Sequence, residues 1–280
     1  MAYINHNGII KNDSEAVISI NNRGFKYADG FFETIKILEG KIKLSELHLQ
    51  RLYSSLSKLK FEVEAFPTPK KIADEILELA KLNQHEAAAR IRVTVFAGEG
   101  NLNNIYPRIP NYTIQSFPII KGNYHWTQEG LSIDVYKDAV KPVDNFSSLK
   151  TSNFLPYVMA SIWAKENSLD DALLLNPYGS IADATIANIF IVKDGLIKTP
   201  PITDGCVDGI MRKYLLKLIS QDQLPYSETS ITYADILEAS EVFLTNAIIG
   251  IKWVSRVGSS NYTNQISRLL FDRFVAPLNG

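Results

Sequence analysis

Apolar and polar positions alternate along the chain in a way that predicts short strands interspersed with a few amphipathic helices. Asn7-Gly8 separates Tyr3-Ile4 from Ile9-Ile10, and both residue types tolerate positive φ, so a type I′ hairpin is predicted there. Residues 31–37 (Phe-Phe-Glu-Thr-Ile-Lys-Ile) read as a strand that turns at Glu39-Gly40 into 41–44. Ser45 is expected to cap a helix whose Leu49, Leu52, Leu56 and Leu59 recur at helical spacing. A second helix is predicted from Pro69, with Thr68 as its cap and Ile72, Ile76 and Leu79 turned inward. Residues 89–96 alternate with period two. Ile91, Val93 and Val95 take one face, and Arg90, Arg92, Thr94 and Phe96 take the other. A strand at 112–117 follows.

The pattern breaks between 118 and 130, the best candidate for a connector. Beyond it come a strand at 131–136, a loop to Lys150, a helix over Pro156 to Asn167, and strands at 172–176 and 187–192. A helix from Gly209 to Ser220 follows, then a short one capped by Thr232 with Asp235 three residues on. Last comes a strand at 241–245 leading to a turn at Gly250. Strand-rich halves without regular β-α-β alternation predict two α+β units rather than a doubly wound sheet.

Composition narrows the class. The 280 residues are 46% hydrophobic and 21% charged, the balance of a globular chain with a sizeable core. A formal net charge of −1 removes the electrostatic motive for a dedicated nucleic-acid binder. One cysteine, Cys206, excludes an internal disulfide or a multi-thiolate metal site, and it reads as a small hydrophobe. No run approaches a membrane span, and the first residues lack a signal-peptide pattern, so a cytoplasmic protein with no membrane partner is expected. His6, His48, His85 and His125 lack metal-ligand spacing and read as structural. Gly98-Glu99-Gly100 lacks the third glycine and the following helix of a dinucleotide fingerprint.

One position has chemical promise of its own. Lys150 lies between Phe146-Ser147-Ser148-Leu149 and Thr151-Ser152-Asn153, just ahead of a predicted helix carrying Met159, Ile162 and Trp163. A lysine so placed is either a plain surface cation or a partly desolvated amine usable as a Schiff-base nucleophile. Pattern alone leaves both open.

Several collinear segments together resemble the class-IV aminotransferases, the fold-type IV pyridoxal-phosphate enzymes. That family includes branched-chain and D-amino-acid transaminases and aminodeoxychorismate lyase. The segments are Arg23-Gly24-Phe25-Lys26-Tyr27-Ala28-Asp29-Gly30-Phe31-Phe32-Glu33, His48-Leu49-Gln50-Arg51-Leu52, Leu149-Lys150-Thr151-Ser152-Asn153, Gly179 to Asp183 running on to Ala187-Asn188-Ile189-Phe190, Gly209-Ile210-Met211-Arg212, and Leu244-Thr245-Asn246-Ala247. The resemblance implies a two-domain α+β fold. A small N-terminal α/β sandwich (1–117) is joined through 118–130 to a larger C-terminal domain (131–280) with a barrel-like sheet. It also implies pyridoxal 5'-phosphate as cofactor and a homodimer.

By the same resemblance Lys150 is the catalytic Schiff-base lysine and Arg51 the phosphate arginine. Gly209, Ile210 and Met211 open a helix whose free N–H groups suit an anion, and Asn246 and Ala247 supply a further phosphate contact. The cofactor's ring nitrogen needs a carboxylate beside it. The family places glutamate five residues before the Asn of Asn-Ile-Phe, and here that position holds Asp183, one methylene shorter. Phe32 and Arg92 are the implied substrate residues, Arg92 as a carboxylate clamp. Phe96-Ala97-Gly98 lacks the Arg-Gly pair of the D-amino-acid enzymes.

Three activities stay open on sequence. Arg92 with Val95-Phe96-Ala97-Gly98-Glu99 resembles branched-chain transaminases, whereas Val207 to Arg212 and Thr245-Asn246-Ala247 resemble aminodeoxychorismate lyase. The Glu-to-Asp change also admits a binder without turnover.

Overall fold

The structure, a computed structural model, describes residues 2–15, 17–103, 105–120, 122 and 124–279. The chain divides into two compact units, one holding the first 123 residues together with Lys150–Asn153, the other holding Tyr124–Leu149 and Phe154–Asn279.

In the first unit β1 (Tyr3–His6) and β2 (Ile9–Asn12) form the hairpin, with Asn7 and Gly8 at φ 53° and 83° as a type I′ turn requires. Then come α1 (Arg23–Tyr27), β3 (Gly30–Leu38), β4 (Lys41–Ile42), α2 (Ser45–Lys58), α3 (Pro69–Leu82), β5 (Ala88–Ala97) and β6 (Pro110–Pro118). The strands make one antiparallel sheet in the order β2-β1-β6-β5-β3-β4. Alternation carries Phe31, Ile35 and Ile37 of β3 and Ile91, Val93 and Val95 of β5 to one face. There they pack with Leu52 and Leu56 of α2 and Ile72, Ile76 and Leu79 of α3.

Two local expectations change. Ser45 is the first residue of α2 rather than its cap. Leu44 occupies the cap position in the left-handed region, at φ 54°, and no side chain bonds the helix start. Glu46 in the first turn complements the helix dipole there. Phe96, placed by alternation on the polar face of β5, is buried, because Gly24 and Gly30 leave room for its side chain. Thr68 caps α3 as expected, accepting from the Lys71 N–H at 3.3 Å.

The segment Lys150–Ser152 runs along the free start of β3. The Phe32 N–H donates to the Lys150 carbonyl and the Ser152 N–H donates to the Gly30 carbonyl, both at 2.9 Å, and Phe31 and Thr151 form an antiparallel bridge.

The second unit contains β7 (Leu131–Val140), α4 (Leu155–Glu166), β8 (Asp171–Leu175), β9 (Ile181–Ala184), β10 (Asn188–Lys193), β11 (Leu196–Thr199), α5 (Ile210–Gln221), β12 (Tyr226–Glu228), α6 (Tyr233–Leu237), β13 (Glu241–Asn246), β14 (Gly250–Val257), β15 (Ser260–Asn261) and α7 (Gln265–Leu270). Its sheet runs β12-β11-β10-β13-β14-β7-β8-β9, with β15 added to β14, and curls into a half-barrel. β7 and β8 are parallel, so the chain must cross over between them, and α4 is that crossover. One side of the sheet packs Ile133, Leu173, Ile189, Ile191, Val242, Leu244 and Val254. On the other, α4 sets Tyr157, Ala160 and Ala164 against Tyr136 and Leu174. Asp183 is inside β9, opposite Leu174 of β8. No helix among the described residues is long and apolar enough to cross a membrane.

A Cβ at Gly30 would sit 2.4 Å from the Val95 carbonyl oxygen, backbone that cannot move without parting β3 from β5. Gly30→Ala is therefore expected to destabilise the protein by about 3 kcal/mol, measured by urea unfolding.

Candidate active site

On β3 alternation sends Phe31, Glu33 and Ile35 toward the helices and Phe32 to the opposite face. Phe32 is 4% exposed and touches two cations. The Arg92 guanidinium carbon lies 3.7 Å from its ring centroid and the Lys150 ammonium nitrogen 4.7 Å. Arg92 Nε also donates to Thr94 Oγ1 at 3.2 Å, which fixes the guanidinium along β5. The three residues Phe32, Arg92 and Lys150 thus form one group, with an amine and a bidentate anion ligand on a shared apolar surface.

Arg51 belongs to a different cluster, on the helix side of the same sheet. Its Nε and Nη2 donate to the two Glu33 carboxylate oxygens at 2.6 and 2.7 Å, and His48 Nδ1 lies 2.9 Å from Glu33. Burial by itself pushes the Glu33 carboxyl up. The Arg51 charge and hydrogen bonds outweigh it and, with His48, hold the group at about 2. Burial pushes the His48 imidazole down despite the neighbouring carboxylate, so His48 is neutral near pH 7. Glu33 appeared in the sequence only as part of a motif, and His48 only as a structural histidine. The spacing His48-x-x-Arg51, one helical turn, is the signal that both meet a single carboxylate.

In the second unit Asp183 is 2% exposed. The Tyr157 hydroxyl reaches its two oxygens at 3.2 and 3.1 Å, and the Val207 N–H donates to Oδ2 at 3.0 Å. Two residues beyond Val207, α5 starts at Gly209 with no side-chain cap, so its first N–H groups, including those of Ile210 and Met211, point outward along the helix axis. A Cβ at Gly209 would fall 1.8 Å from Asn188 Oδ1. The Asn188 amide donates in turn to the Val207 carbonyl at 2.8 Å, tying β10 to the start of α5. The Asp208 N–H donates to the Ser148 carbonyl at 3.0 Å, two residues before Lys150 in the chain.

Asn246 ends β13 and shapes the turn holding Ala247. Its Oδ1 accepts from the Ile248 and Ile249 N–H groups, both at 2.9 Å, and its amide donates to the Ile186 carbonyl at 3.2 Å. Beside it the fully buried Thr245 Oγ1 finds no hydrogen-bond partner among the described residues. Cys206 is buried and its thiol is pushed up to about 12 by that burial, so it stays protonated. No group of three or more metal-ligating side chains occurs among the described residues.

A buried carboxylate, an uncapped helix start where the Asn188 amide fills the place of a Cβ, and an orphan hydroxyl nearby suit a flat heterocycle carrying a protonated nitrogen and a phosphate. Solved structures share the whole fold. The branched-chain aminotransferase of Thermoproteus uzoniensis, solved with norvaline, superposes with a TM-score of 0.88 at 20% identity, covering 100% of this chain and 95% of that one. The T.th. branched-chain amino acid aminotransferase, solved with N-(5'-phosphopyridoxyl)-L-glutamate, gives 0.87 at 21% identity, covering 100% and 94%.

Sequence comparison gives the family. Residues 30–257 match amino-transferase class IV, and the chain belongs to that family of enzymes. Among its relatives is a Methanocaldococcus jannaschii protein provisionally named a branched-chain-amino-acid aminotransferase, 29% identical over 277 residues (96% of this chain, 93% of that protein). The D-alanine aminotransferase of Bacillus licheniformis is 28% identical over 242 residues (86% and 83%). The aminodeoxychorismate lyase of Vibrio harveyi is 25% identical over 242 residues (86% and 88%).

The Glu33–Arg51 pair leads to a prediction. Because the Glu33 carboxyl is depressed on folding, its contribution to stability is complete above the ordinary glutamate value of 4.5 and is lost as pH falls toward about 2. Glu33→Ala strands a buried guanidinium and should cost about 3–5 kcal/mol. Chemical unfolding as a function of pH should then show a weaker acid dependence in the variant than in the parent over that range.

Proposed function

We propose that this protein is a pyridoxal-phosphate enzyme that transfers the amino group of an amino acid to a 2-oxo acid, a transaminase of branched-chain type. The observation that carries the reading is the Lys150 amine and the Arg92 guanidinium on one buried Phe32 ring. An amino acid offers an anion and an α-proton a few ångströms apart, and that pair meets both groups. When bound, the cofactor withdraws electrons from the substrate's α-carbon and makes its proton acidic.

The chain's own residues supply the rest. Arg92 holds the substrate carboxylate through its planar fork. Lys150, once its amine is released, would take the proton from the α-carbon and return it to the cofactor carbon C4′, acting as base and then as acid. Phe32 keeps water from that amine. Asp183 would set a negative charge against the ring nitrogen. The N–H groups at Gly209, Ile210 and Met211 and the turn at Asn246-Ala247 would take the phosphate, and the family resemblance assigns Arg51 to it as well. We read the enzyme as a cytoplasmic homodimer acting on small molecules, with neither nucleic acid nor membrane as partner.

A second reading, aminodeoxychorismate lyase releasing pyruvate and 4-aminobenzoate, is favoured by Met211 at the start of α5 and by Thr245-Asn246-Ala247. There Lys150 takes the same proton and pyruvate leaves by elimination. A third, cofactor binding without turnover, rests only on aspartate standing at position 183.

Paired assays separate the three. One supplies branched-chain amino acids with 2-oxoglutarate, and the other supplies aminodeoxychorismate and measures 4-aminobenzoate. The transaminase reading requires keto acid in the first and no 4-aminobenzoate in the second. The purified protein should be yellow, borohydride should bleach it and tag Lys150, and Lys150→Ala should lose at least about 1,000-fold in turnover. A colourless parent that takes up no pyridoxal phosphate would refute all three.

A further inference from the structure

Aspartate at position 183 leaves a shortfall of one methylene, and the structure contains an answer to it. Asp183 is gripped from two different elements: the Tyr157 hydroxyl on α4 lies 3.2 and 3.1 Å from its two oxygens, and the Val207 N–H ahead of α5 lies 3.0 Å from Oδ2. Both side chains are buried, Tyr157 at 6% and Asp183 at 2% exposure. The phenol is itself held firmly. Its ring stacks on Phe154 at 4.5 Å between centroids, packs with Tyr136 and Leu174, and carries the Lys141 ammonium 5.5 Å from its centroid. Lys141 is fixed by donating to the Ser147 carbonyl at 2.7 Å.

A short carboxylate has few torsions. Two donors arriving from separate elements determine where both its oxygens lie, and donors of this kind favour the ionised form. We propose that Tyr157 is a positioning residue for the cofactor, orienting the Asp183 carboxylate toward the ring nitrogen and keeping it anionic so that aspartate does the work of the longer side chain. The inference rests on the pyridoxal-phosphate reading above and adds to it a residue that the family resemblance did not supply.

Charged and titratable groups facing Asp183 include Tyr157 on α4, Asp171 on β8 and Cys206 ahead of α5. Burial, reinforced by Asp183, raises the Tyr157 phenol, so it stays a donor at all working pH values. Cys206 stays protonated to about 12. Asp171 is raised by burial and is held by Thr185 Oγ1 at 2.6 Å and by the N–H groups of Ala172 and Thr185 at 2.7 and 3.1 Å, contacts that a change at Tyr157 leaves in place.

The test is the affinity of the cofactor-stripped protein for pyridoxal phosphate, followed by visible absorbance across pH. Tyr157→Phe removes one donor from an ionised acceptor, which raises the carboxyl's pKa. Affinity at neutral pH should fall about ten-fold, and the acid limb, where binding fades as Asp183 protonates, should move up by about one pH unit. A role confined to packing would lower thermal stability and leave that limb in place. Site-specific 3-fluorotyrosine at position 157 keeps the shape and strengthens the donor, so it should move the limb the other way, and it decides the matter if Tyr157→Phe does not fold. An unmoved limb in both proteins overturns the inference while the cofactor reading stands. Failure of the parent to bind pyridoxal phosphate at any pH overturns both.

Discussion

The backbone at Lys150 is held in place by two hydrogen bonds on the edge of a strand. Phe32 N–H to Lys150 C=O and Ser152 N–H to Gly30 C=O dock three residues of a long loop onto β3. Docking costs the loop its conformational freedom, roughly 1–2 kcal/mol for each residue fixed, and the glycine at position 30 lets β3 approach β5 closely enough to offer that edge. The same register brings Phe32 under the amine and places Arg92 on its ring. Two residues earlier the Ser148 carbonyl is held by Asp208, next to the glycine that opens α5. The lead-in to Lys150 and the start of the helix therefore share a backbone hydrogen bond.

Charge is handled differently in the two units. Among Phe32, Arg92 and Lys150 the cations rest on an aromatic face, which partly screens them from water. Behind the sheet Glu33 neutralises Arg51 inside the protein, and the pair orders α2 against β3. In the second unit the buried carboxylate accepts from neutral donors, a phenol and a backbone N–H. A cationic partner beside such a carboxylate would favour its ionised form.

Local pattern carried much of the fold because the informative segments are amphipathic. The hairpin at Asn7-Gly8, α3 with its Thr68 cap and the alternating β5 all follow from side-chain period and turn chemistry. Features set by tertiary contact were less legible. α2 starts from a leucine in the left-handed region, a choice no capping preference encodes. β9 is four residues long and buried throughout, so it has no alternation to detect. Phe96 is buried because two glycines elsewhere leave space for it. Lys150 was equivocal on chemistry alone and acquired meaning only through resemblance. The roles of Glu33 and Tyr157, which hold Arg51 and Asp183, were hidden because each acts through a partner 18 or 26 residues away.

The missing side chain at position 209 has a reach beyond its own turn. The volume a β-carbon would fill there is taken by the Asn188 amide. That amide restrains residue 207, whose N–H steers the acid on β9. The start of α5 and the carboxylate on β9 are thereby mechanically joined through one tripeptide. A side chain added at 209 would therefore displace the Asn188 amide and be felt at position 183.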